Sequence, residues 1–202
     1  MSLVRLIEHR YGLRGLPAPV SLTGGYTNDP LRMGDVVVRF APERVTEAEL
    51  EYEHSLVARL AERVPEVCGP LRDRDGQTWF SHEGRVCSVW PWIPGRRGVR
   101  RSRTTRLTAA AVLARIHRAG LELEDLPSRP GQPSLGDLDL RTNWMWSLDD
   151  ACAVRPDARL EELWMELCDI VAGCREADLV SGVVHSDFYP GNVIAQRGLS
   201  SA

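Results

Sequence analysis

Hydrophobic and polar positions change their spacing early in the chain. Leu3, Leu6 and Ile7 follow a helical spacing that stops at Gly12, which predicts a short leading helix. From residue 20 the apolar residues form short runs separated by Gly-Gly, Asn-Asp-Pro and Gly-Asp, the residues of tight turns. We therefore expect an antiparallel sheet of three strands to follow the helix.

A second helix is predicted where helical periodicity returns. Thr46 followed three residues later by Glu49 is the pattern of a capping box, and the periodicity ends before Pro65. The apolar face of this helix comprises Leu50, His54, Val57, Leu60 and Ala61. Residues 67–95 predict two or three further strands, with tight turns at residues 75–76 and 83–84.

The second half of the chain is predicted to be mainly helical. Residues 107–120 form an alanine-rich helix ending at Gly120, residues 121–150 have the composition of a loop, and residues 158–174 form another helix. Val183-Val184 and Val193-Ile194 are expected to form a short buried strand pair around a turn.

Composition and charge exclude several classes of protein. The chain has 202 residues, with 25 basic and 28 acidic side chains and a net charge of −3, so no global field favours nucleic acid or an anionic membrane. It has no run of apolar residues long enough to span a bilayer and no signal-like N-terminus, so we expect a cytoplasmic protein. The five cysteines lack a C-x-x-C pair and are expected to be reduced and to fill the core. They are Cys68, Cys87, Cys152, Cys168 and Cys174.

The one strong local cluster of charge is the basic stretch of residues 95–106, GRRGVRRSRTTR. It contains no aromatic residue that would stack on a base, and most such runs are solvated loops. The alternative is that these arginines bind an anionic substrate or RNA phosphate.

The polar residues near the end of the chain carry the strongest chemical pattern. In VVHSDFYPGNVIA, His185, Asp187 and Asn192 are expected on a loop between the two short strands. The spacing His-x-Asp-x-x-x-x-Asn is that of the catalytic loop of kinase-fold phosphotransferases. Backbone capping by the same Asp and Asn is the structural alternative.

With this loop, the sequence resembles the aminoglycoside phosphotransferase and choline kinase superfamily, which includes the type II homoserine kinases. Ser186 stands where that family usually has Gly. The resemblance implies an α+β, two-lobed, protein-kinase-like fold with an N-lobe over residues 1–92 and a partial C-lobe over residues 93–202. It also implies that Asp187 is the catalytic base and that His185 braces the loop.

The cofactors implied by the resemblance are ATP and Mg²⁺, and Asn192 would offer its amide oxygen to the metal. On the third strand Arg39 stands where the family has the cation that holds the α- and β-phosphates, although a strand-end arginine is also commonly exposed. Glu53 is the preferred partner for this cation, because it lies seven residues before Leu60 and twelve before Pro65, the spacing that the resemblance implies. Glu51 would lie on a different helix face, roughly 200° away. A solvated helix charge would also explain either glutamate.

Two further segments match the family's nucleotide site. Gly24, Gly25 and Asn28 correspond to the nucleotide-positioning hairpin, although Gly-Gly hairpins are common and Pro30 is unusual within a strand. The segment SVWPWIPGR resembles the connector between the lobes, where backbone groups bind the adenine edge and apolar side chains cover the ring. Its candidate residues are Val89, Trp90 and Trp92, and the two tryptophans at alternate positions are equally what a half-buried strand would show.

One expected feature of the family is missing from the sequence. The family has an Ile-Asp-(Trp/Phe) motif after the catalytic loop, whose Asp is the main carboxylate ligand of Mg²⁺, whereas no Asp or Glu follows Asn192. The resemblance covers nearly all of the chain but about two-thirds of a typical member. We therefore expect a C-terminally truncated protein with greatly reduced catalysis and exposed apolar surface that favours self-association.

Two functions from different classes follow. The first is an ATP-dependent phosphotransferase that transfers the γ-phosphate to a hydroxyl of a small molecule such as an aminoglycoside, a choline-like compound or homoserine. The alternative is a non-catalytic, pseudokinase-like module that binds a nucleotide or a partner without turnover. A remnant that binds neither ligand is a third possibility.

Overall fold

A computed structural model describes residues 1–22, 30–98, 102–123, 125, 127, 129–130, 158–176, 182–185, 187–189 and 192–196. The chain divides into two compact units, one of Met1–Asp125 with Val183–Ala202 and the other of Leu126–Gly182. The lobe boundary that the sequence places after residue 92 stays a prediction.

The described residues contain helices and short strands, with most of the strands in the first half of the chain. The helices are α1 (Leu3–Tyr11), α2 (Glu47–Ala61), α3 (Arg103–Leu121) and α4 (Ala158–Glu176). The strands are β1 (Val20–Ser21), β2 (Leu31–Met33), β3 (Val36–Phe40), β4 (Trp79–His82), β5 (Arg85–Pro91), β6 (Arg96–Arg97) and β7 (Ile194–Ala195).

The first five strands form one antiparallel sheet with the order β1-β2-β3-β5-β4. The predicted three-strand sheet that follows the leading helix is thus confirmed, and β2 begins directly after Pro30, which avoids a proline inside the strand. Glu83 and Gly84 both have positive φ, 51° and 76°, as a two-residue type I′ hairpin turn requires. This confirms the turn predicted at residues 83–84.

One face of the sheet packs against α1 and forms the main core. Alternate residues of β3 and β5 point to this face, as the pleat of a strand dictates. The core cluster comprises Ile7, Met33, Val36, Val38, Phe40, Phe80, Cys87 and Val89. The first turn of α1 has no side-chain cap, and the helix ends at Gly12 in the left-handed conformation.

Helix α2 covers the opposite face of the sheet. Its capping box is complete, since the Thr46 side chain accepts from the Glu49 amide and the Glu49 carboxylate accepts from the Thr46 amide. Leu50, His54 and Leu60 are buried, as the apolar periodicity predicted. The face of β3 and β5 under this helix is the one that carries Arg39 and Trp90.

Helix α3 begins earlier and ends later than predicted. Ser102 caps it by accepting from the Thr105 amide, so the end of the basic stretch forms its first turn. Gly120 is within the helix and does not terminate it. It lies against Val183, and a Cβ at this position would be 3.0 Å from the Val183 carbonyl oxygen. This glycine serves a close contact between chain segments.

Two predictions about strands are wrong. Val183-Val184 is not a strand and does not pair with residues 193–194; instead β7 pairs with β6, with Arg96 opposite Ala195 and Arg97 opposite Ile194. Val184 and Ile194 are exposed and Val183 and Val193 are only partly buried, so the four residues do not form a buried pair. The turn at residues 75–76 does not join two strands of a hairpin, because it closes a local loop in which the buried Asp73 carboxylate accepts from the Asp75 and Gln77 amides.

Candidate functional site

A small cavity lies between α2 and the Arg39 face of the sheet. It has a volume of about 60 Å³. Its lining residues are Arg39, Ala41, Pro42, Val45, Leu50, Glu53, His54, Ser88 and Trp90. The fold therefore brings together Arg39 and Glu53, the predicted cation and carboxylate, at the edge of one cavity.

Arg39 is held against an aromatic ring. The central carbon of its guanidinium lies 4.2 Å from the centroid of the Trp90 ring, within the range of a cation–π contact. Desolvation lowers the pKa of the Arg39 guanidinium, and the nearby Glu53 carboxylate opposes this by raising it. The guanidinium remains a cation, because arginine titrates far above neutral pH.

His54 supports this arrangement from α2. Its Nδ1 lies 2.9 Å from the Thr78 hydroxyl, and its ring meets the Trp90 ring edge-on with centroids 5.7 Å apart. Burial, and then the positive charge of Arg39, lower the pKa of His54 to about 4. His54 is therefore neutral at pH 7 and adds no second positive charge beside Arg39.

The predicted catalytic loop has a defined local geometry. The Asn192 side-chain nitrogen donates to the Asp187 carboxylate at 3.0 Å and to the Asp187 backbone carbonyl at 2.9 Å. The backbone amide of Asn192 also donates to the Tyr189 backbone carbonyl at 2.9 Å, which closes a turn. Asp187 and Asn192 are both exposed, so their free oxygens face solvent.

Because the Asn192 nitrogen serves Asp187, the Asn192 amide oxygen is directed elsewhere. The loop thus carries one carboxylate and one side-chain amide oxygen, both hard donors, five residues apart. His185 lies edge-on against Phe188, with ring centroids 5.2 Å apart, and so contacts the loop that it was expected to brace.

A two-stranded ribbon anchors the end of the loop. Besides the pairing of β6 with β7, the Gly98 amide donates to the Val193 carbonyl at 2.8 Å. Gly95 allows the close approach of this ribbon, since a Cβ there would lie 2.5 Å from the Ile194 side chain and 2.7 Å from the Ala195 carbonyl oxygen. The end of the predicted connector and the residues that follow it therefore determine where the loop is attached.

A larger, open cavity lies beside this ribbon. It has a volume of about 560 Å³. Its lining residues are Pro94, Gly95, Arg96, Arg97, Gly98, Thr105, Ala195 and Gln196. Part of the predicted basic cluster thus borders a space large enough for a small ligand.

The other candidates for the connector have different surroundings. Val89 is fully buried in the core cluster on the α1 side of the sheet, and its backbone carbonyl accepts from the Leu71 amide. Trp92 lies under Arg32, with the guanidinium carbon 4.0 Å from its ring centroid. The Trp92 amide donates to the Asp35 carbonyl at 2.7 Å. Of the three, Trp90 alone lines the cavity with Arg39.

Three of the predicted site residues, Gly24, Gly25 and Asn28, lie outside the described residues. Among the residues that the structure does describe, no three His, Cys, Asp or Glu side chains come together as a metal site. No helix in that part of the chain is long and apolar enough to cross a membrane.

Sequence reasoning did not identify Ser88 and Thr78 as parts of the site. The Trp90 indole nitrogen donates to the Ser88 hydroxyl at 2.9 Å, and Thr78 is the partner of His54. Ser88 was accessible to prediction, because it is two residues before Trp90 on a strand and so shares its face. Thr78 was not, because its contact depends on how α2 lies over the sheet.

The chain was compared with known protein families and curated relatives. The profile of the phosphotransferase enzyme family matches residues 21–201. A homoserine kinase of Bradyrhizobium sp. strain BTAi1 is 29% identical over 163 residues, which is 79% of this chain and 47% of that protein. A homoserine kinase of Gluconobacter oxydans is 26% identical over 171 residues, 82% of this chain and 51% of that protein. The chain thus spans about half the length of the curated relatives it matches.

Solved structures of antibiotic kinases share the fold. An amicoumacin kinase in complex with AMP-PNP and Ca²⁺ has a TM-score of 0.66 and 15% identity, over 97% of this chain and 60% of that one. An aminoglycoside phosphotransferase in complex with GDP and kanamycin has a TM-score of 0.58 and 18% identity, over 96% of this chain and 66% of that one. These similarities confirm the predicted protein-kinase-like fold.

Proposed function

The chain belongs to the phosphotransferase enzyme family, and on that premise we propose that it transfers the γ-phosphate of ATP to a hydroxyl group of a small molecule. The observation that carries the proposal is the pair formed by Asp187 and Asn192, with the Asn192 nitrogen on the Asp187 carboxylate at 3.0 Å. Phosphoryl transfer needs a positioned base and charge neutralisation more than covalent chemistry.

In this proposal Asp187 is the base. One of its carboxylate oxygens accepts from Asn192, which fixes the orientation of the group, and the exposed side chain can accept the proton of an acceptor hydroxyl. His185 braces the loop through its contact with Phe188 and takes no part in proton transfer.

The donor set of the loop suits Mg²⁺ only in part. Mg²⁺ prefers oxygen ligands and is commonly held by one or two carboxylates together with substrate phosphates. Here the Asn192 amide oxygen would hold it together with the nucleotide, and the ion would supply neutralisation of phosphate charge. Among the described residues no further cluster of acidic groups supplements this ligand.

Arg39 would bind phosphate oxygens of the nucleotide. Its guanidinium carries several in-plane donors, which suit the paired oxygens of phosphate. Glu53 borders the same cavity, and its charge acts on Arg39, so it would orient the cation. The connector around Trp90 and Trp92, and the hairpin with Gly24, Gly25 and Asn28, would complete the nucleotide site.

The acceptor class is drawn from the relatives. Homoserine kinases are among the curated matches, and the structural neighbours include kinases bound to amicoumacin or kanamycin. We propose that the acceptor is a small molecule with a hydroxyl group, as homoserine and these antibiotics are. The cavity of about 560 Å³ beside the loop ribbon, bordered by Arg96 and Arg97, would offer space for such a ligand.

A second candidate function is nucleotide binding without turnover. The sparse set of acidic ligands in the described residues favours it, because a metal held by one protein amide would be poorly fixed. Under this alternative ATP stabilises the chain whether or not Mg²⁺ is present, and no phosphate is released.

Thermal-shift titrations with ATP, with and without Mg²⁺, followed by assays of ADP formation in the presence of a hydroxyl acceptor such as homoserine, choline or kanamycin, test both functions. For the phosphotransferase, Mg²⁺ strengthens stabilisation by ATP, and Asp187→Asn lowers turnover by about 10²- to 10⁴-fold while ATP binding persists. Asp75→Asn, an exposed change in the same unit, is the matched control and should retain full turnover. Turnover that survives Asp187→Asn would refute the assignment of the base.

A further inference from the structure

We propose that Trp90 is a positioning residue that holds the Arg39 guanidinium at the phosphate site, and that its side chain does not cover the adenine ring. The inference rests on the proposed function, because it assigns a task to Trp90 within the same nucleotide site. It concerns the side chain of Trp90 and leaves the backbone of the connector free to bind the base.

The contact between the two side chains follows from the register of the sheet. Trp90 pairs with Val37 and Ser88 pairs with Arg39 across β3 and β5, so Trp90 and Arg39 are diagonal neighbours on one face. At 4.2 Å from the ring centroid, the guanidinium is close enough for a strong cation–π contact with an indole, the best aromatic partner for a cation.

The indole is itself fixed from two sides. Its nitrogen donates to the Ser88 hydroxyl at 2.9 Å, and the His54 ring packs against it at an interplanar angle of 80°. Trp90, Ser88 and His54 are all buried. A ring held in this way has a single orientation, so it can fix the position of a long, flexible arginine side chain that rests on it.

The contact with Trp90 leaves hydrogen-bond donors of the Arg39 guanidinium available. A cation–π contact attracts the guanidinium through its charge and does not pair its N–H donors with oxygen acceptors. An ion pair with a carboxylate would instead occupy some of those donors. Trp90 can therefore position Arg39 and leave its donors for phosphate oxygens, while Glu53 supplies charge from the other part of the cavity.

The size of the cavity argues against a base beside Trp90. About 60 Å³ is the space of a few water molecules, which is much less than a purine ring requires. The exposed part of the arrangement is the Arg39 side chain, whereas the indole is covered. An anionic group can thus reach the guanidinium from solvent without displacing the tryptophan.

Three probes separate the phosphate from the base: ATP with Mg²⁺, inorganic tripolyphosphate, and adenosine, each titrated by calorimetry. Trp90→Leu should weaken ATP and tripolyphosphate binding by about 3- to 30-fold and leave adenosine unchanged. Trp90→Phe, which keeps a ring, should restore part of this loss. Arg39→Lys should weaken the same two probes, and adding Trp90→Leu to it should have little further effect.

Matched controls come from a second arginine that rests on an aromatic ring of the same sheet. The Arg85 guanidinium lies 4.4 Å from the Phe40 ring, and Phe40 belongs to the core on the α1 side. Arg85→Lys changes the same chemical group away from the cavity and should leave the affinity for all three probes unchanged. Equal losses in Arg85→Lys and Arg39→Lys would overturn the proposal.

A spectroscopic measurement tests the stack in the unliganded wild-type protein. The Arg39 side-chain N–H resonance should be shifted by the ring current of Trp90, and the shift should shrink in Trp90→Phe. The absence of any shift, or a loss of adenosine affinity in Trp90→Leu as large as that of tripolyphosphate, would overturn the inference alone. A wild-type chain that binds neither ATP nor tripolyphosphate would refute the proposed function, and the inference with it.

Discussion

The face of the sheet that carries Arg39 and the loop that carries Asp187 are built in opposite ways. Around Arg39, the side chains of Ser88, Trp90 and His54 are no more than 6% exposed and contact one another through rings and hydrogen bonds. At the loop Asp187, Tyr189 and Asn192 are exposed, and hydrogen bonds of Asn192 connect the described residues there. One region is positioned by packing, the other by individual bonds.

This difference separates stability from placement. Tightly packed residues define one arrangement because any displacement leaves a void or an unpaired polar group. A loop held by hydrogen bonds of about 1 kcal/mol each can shift at little cost to the whole fold. Changes at the sheet should therefore affect the stability of the protein, and changes at the loop should affect its geometry.

The largest expected effect lies in the core of the sheet. Met33 is fully buried in the cluster under α1, so Met33→Ala should lower the free energy of unfolding by about 2–5 kcal/mol. Ile194, which is 46% exposed in β7, should lose about 1 kcal/mol or less when changed to Ala. Urea unfolding followed by circular dichroism measures both, and equal losses would contradict the comparison.

The same difference explains what the sequence could predict about the fold. The capping box of Thr46 and the buried face of α2 follow from local spacing, and both are confirmed. The predicted partner strand of β7 was wrong because the residue pattern of a two-residue strand is too short to specify which strand it pairs with. The actual partner is formed by Arg96 and Arg97, which are far away in sequence and belong to a basic stretch whose charge is typical of a loop.

For the candidate site, spacing predicted pairs that are close in sequence. Asp187 and Asn192 are five residues apart and are hydrogen-bonded. The contact of Arg39 with Trp90 depends on the register of two strands separated by α2 and β4, which no local pattern specifies. The resemblance assigned Trp90 to the connector, whereas its contact with Arg39 could be recognised only from the pairing of β3 with β5 in the structure.

The second effect is a dependence of stability on pH through His54. Its pKa is about 4 in the folded protein, against about 6.5 in the unfolded chain, so the unfolded chain binds more protons between these values. The free energy of unfolding should be independent of this group above about pH 7. It should then fall by about 3 kcal/mol as the pH drops through this window.

His54→Gln provides the control, because glutamine can keep a hydrogen bond to Thr78 but does not titrate. Urea unfolding of both proteins from pH 4 to pH 7 isolates the contribution of His54. The difference in stability between them should narrow as the pH falls. A difference that stays constant over the whole range would show that His54 is not held neutral by packing.

The third effect tests the ribbon that anchors the loop. Gly95→Ala places a methyl group against Ile194 and Ala195, which should separate β6 from β7 at a cost of about 1–3 kcal/mol. Amide resonances of residues 192–196 should move, whereas those of β3 and β5 should not. Gly173→Ala, where no atom lies within 4 Å of the new Cβ, is the control. Shifts spread evenly over the sheet would contradict the separation of the two regions.

The smallest effect on stability is expected at the loop itself. Asn192→Ala removes both hydrogen bonds to Asp187, but the groups are exposed and water replaces the lost donor, so unfolding should change by about 1 kcal/mol or less. The loop should nevertheless become more mobile, which ¹⁵N relaxation of residues 187–192 measures. A large loss of stability together with an unchanged loop would mean that Asn192 acts as part of the core, and the loop would then be positioned in the same way as the sheet.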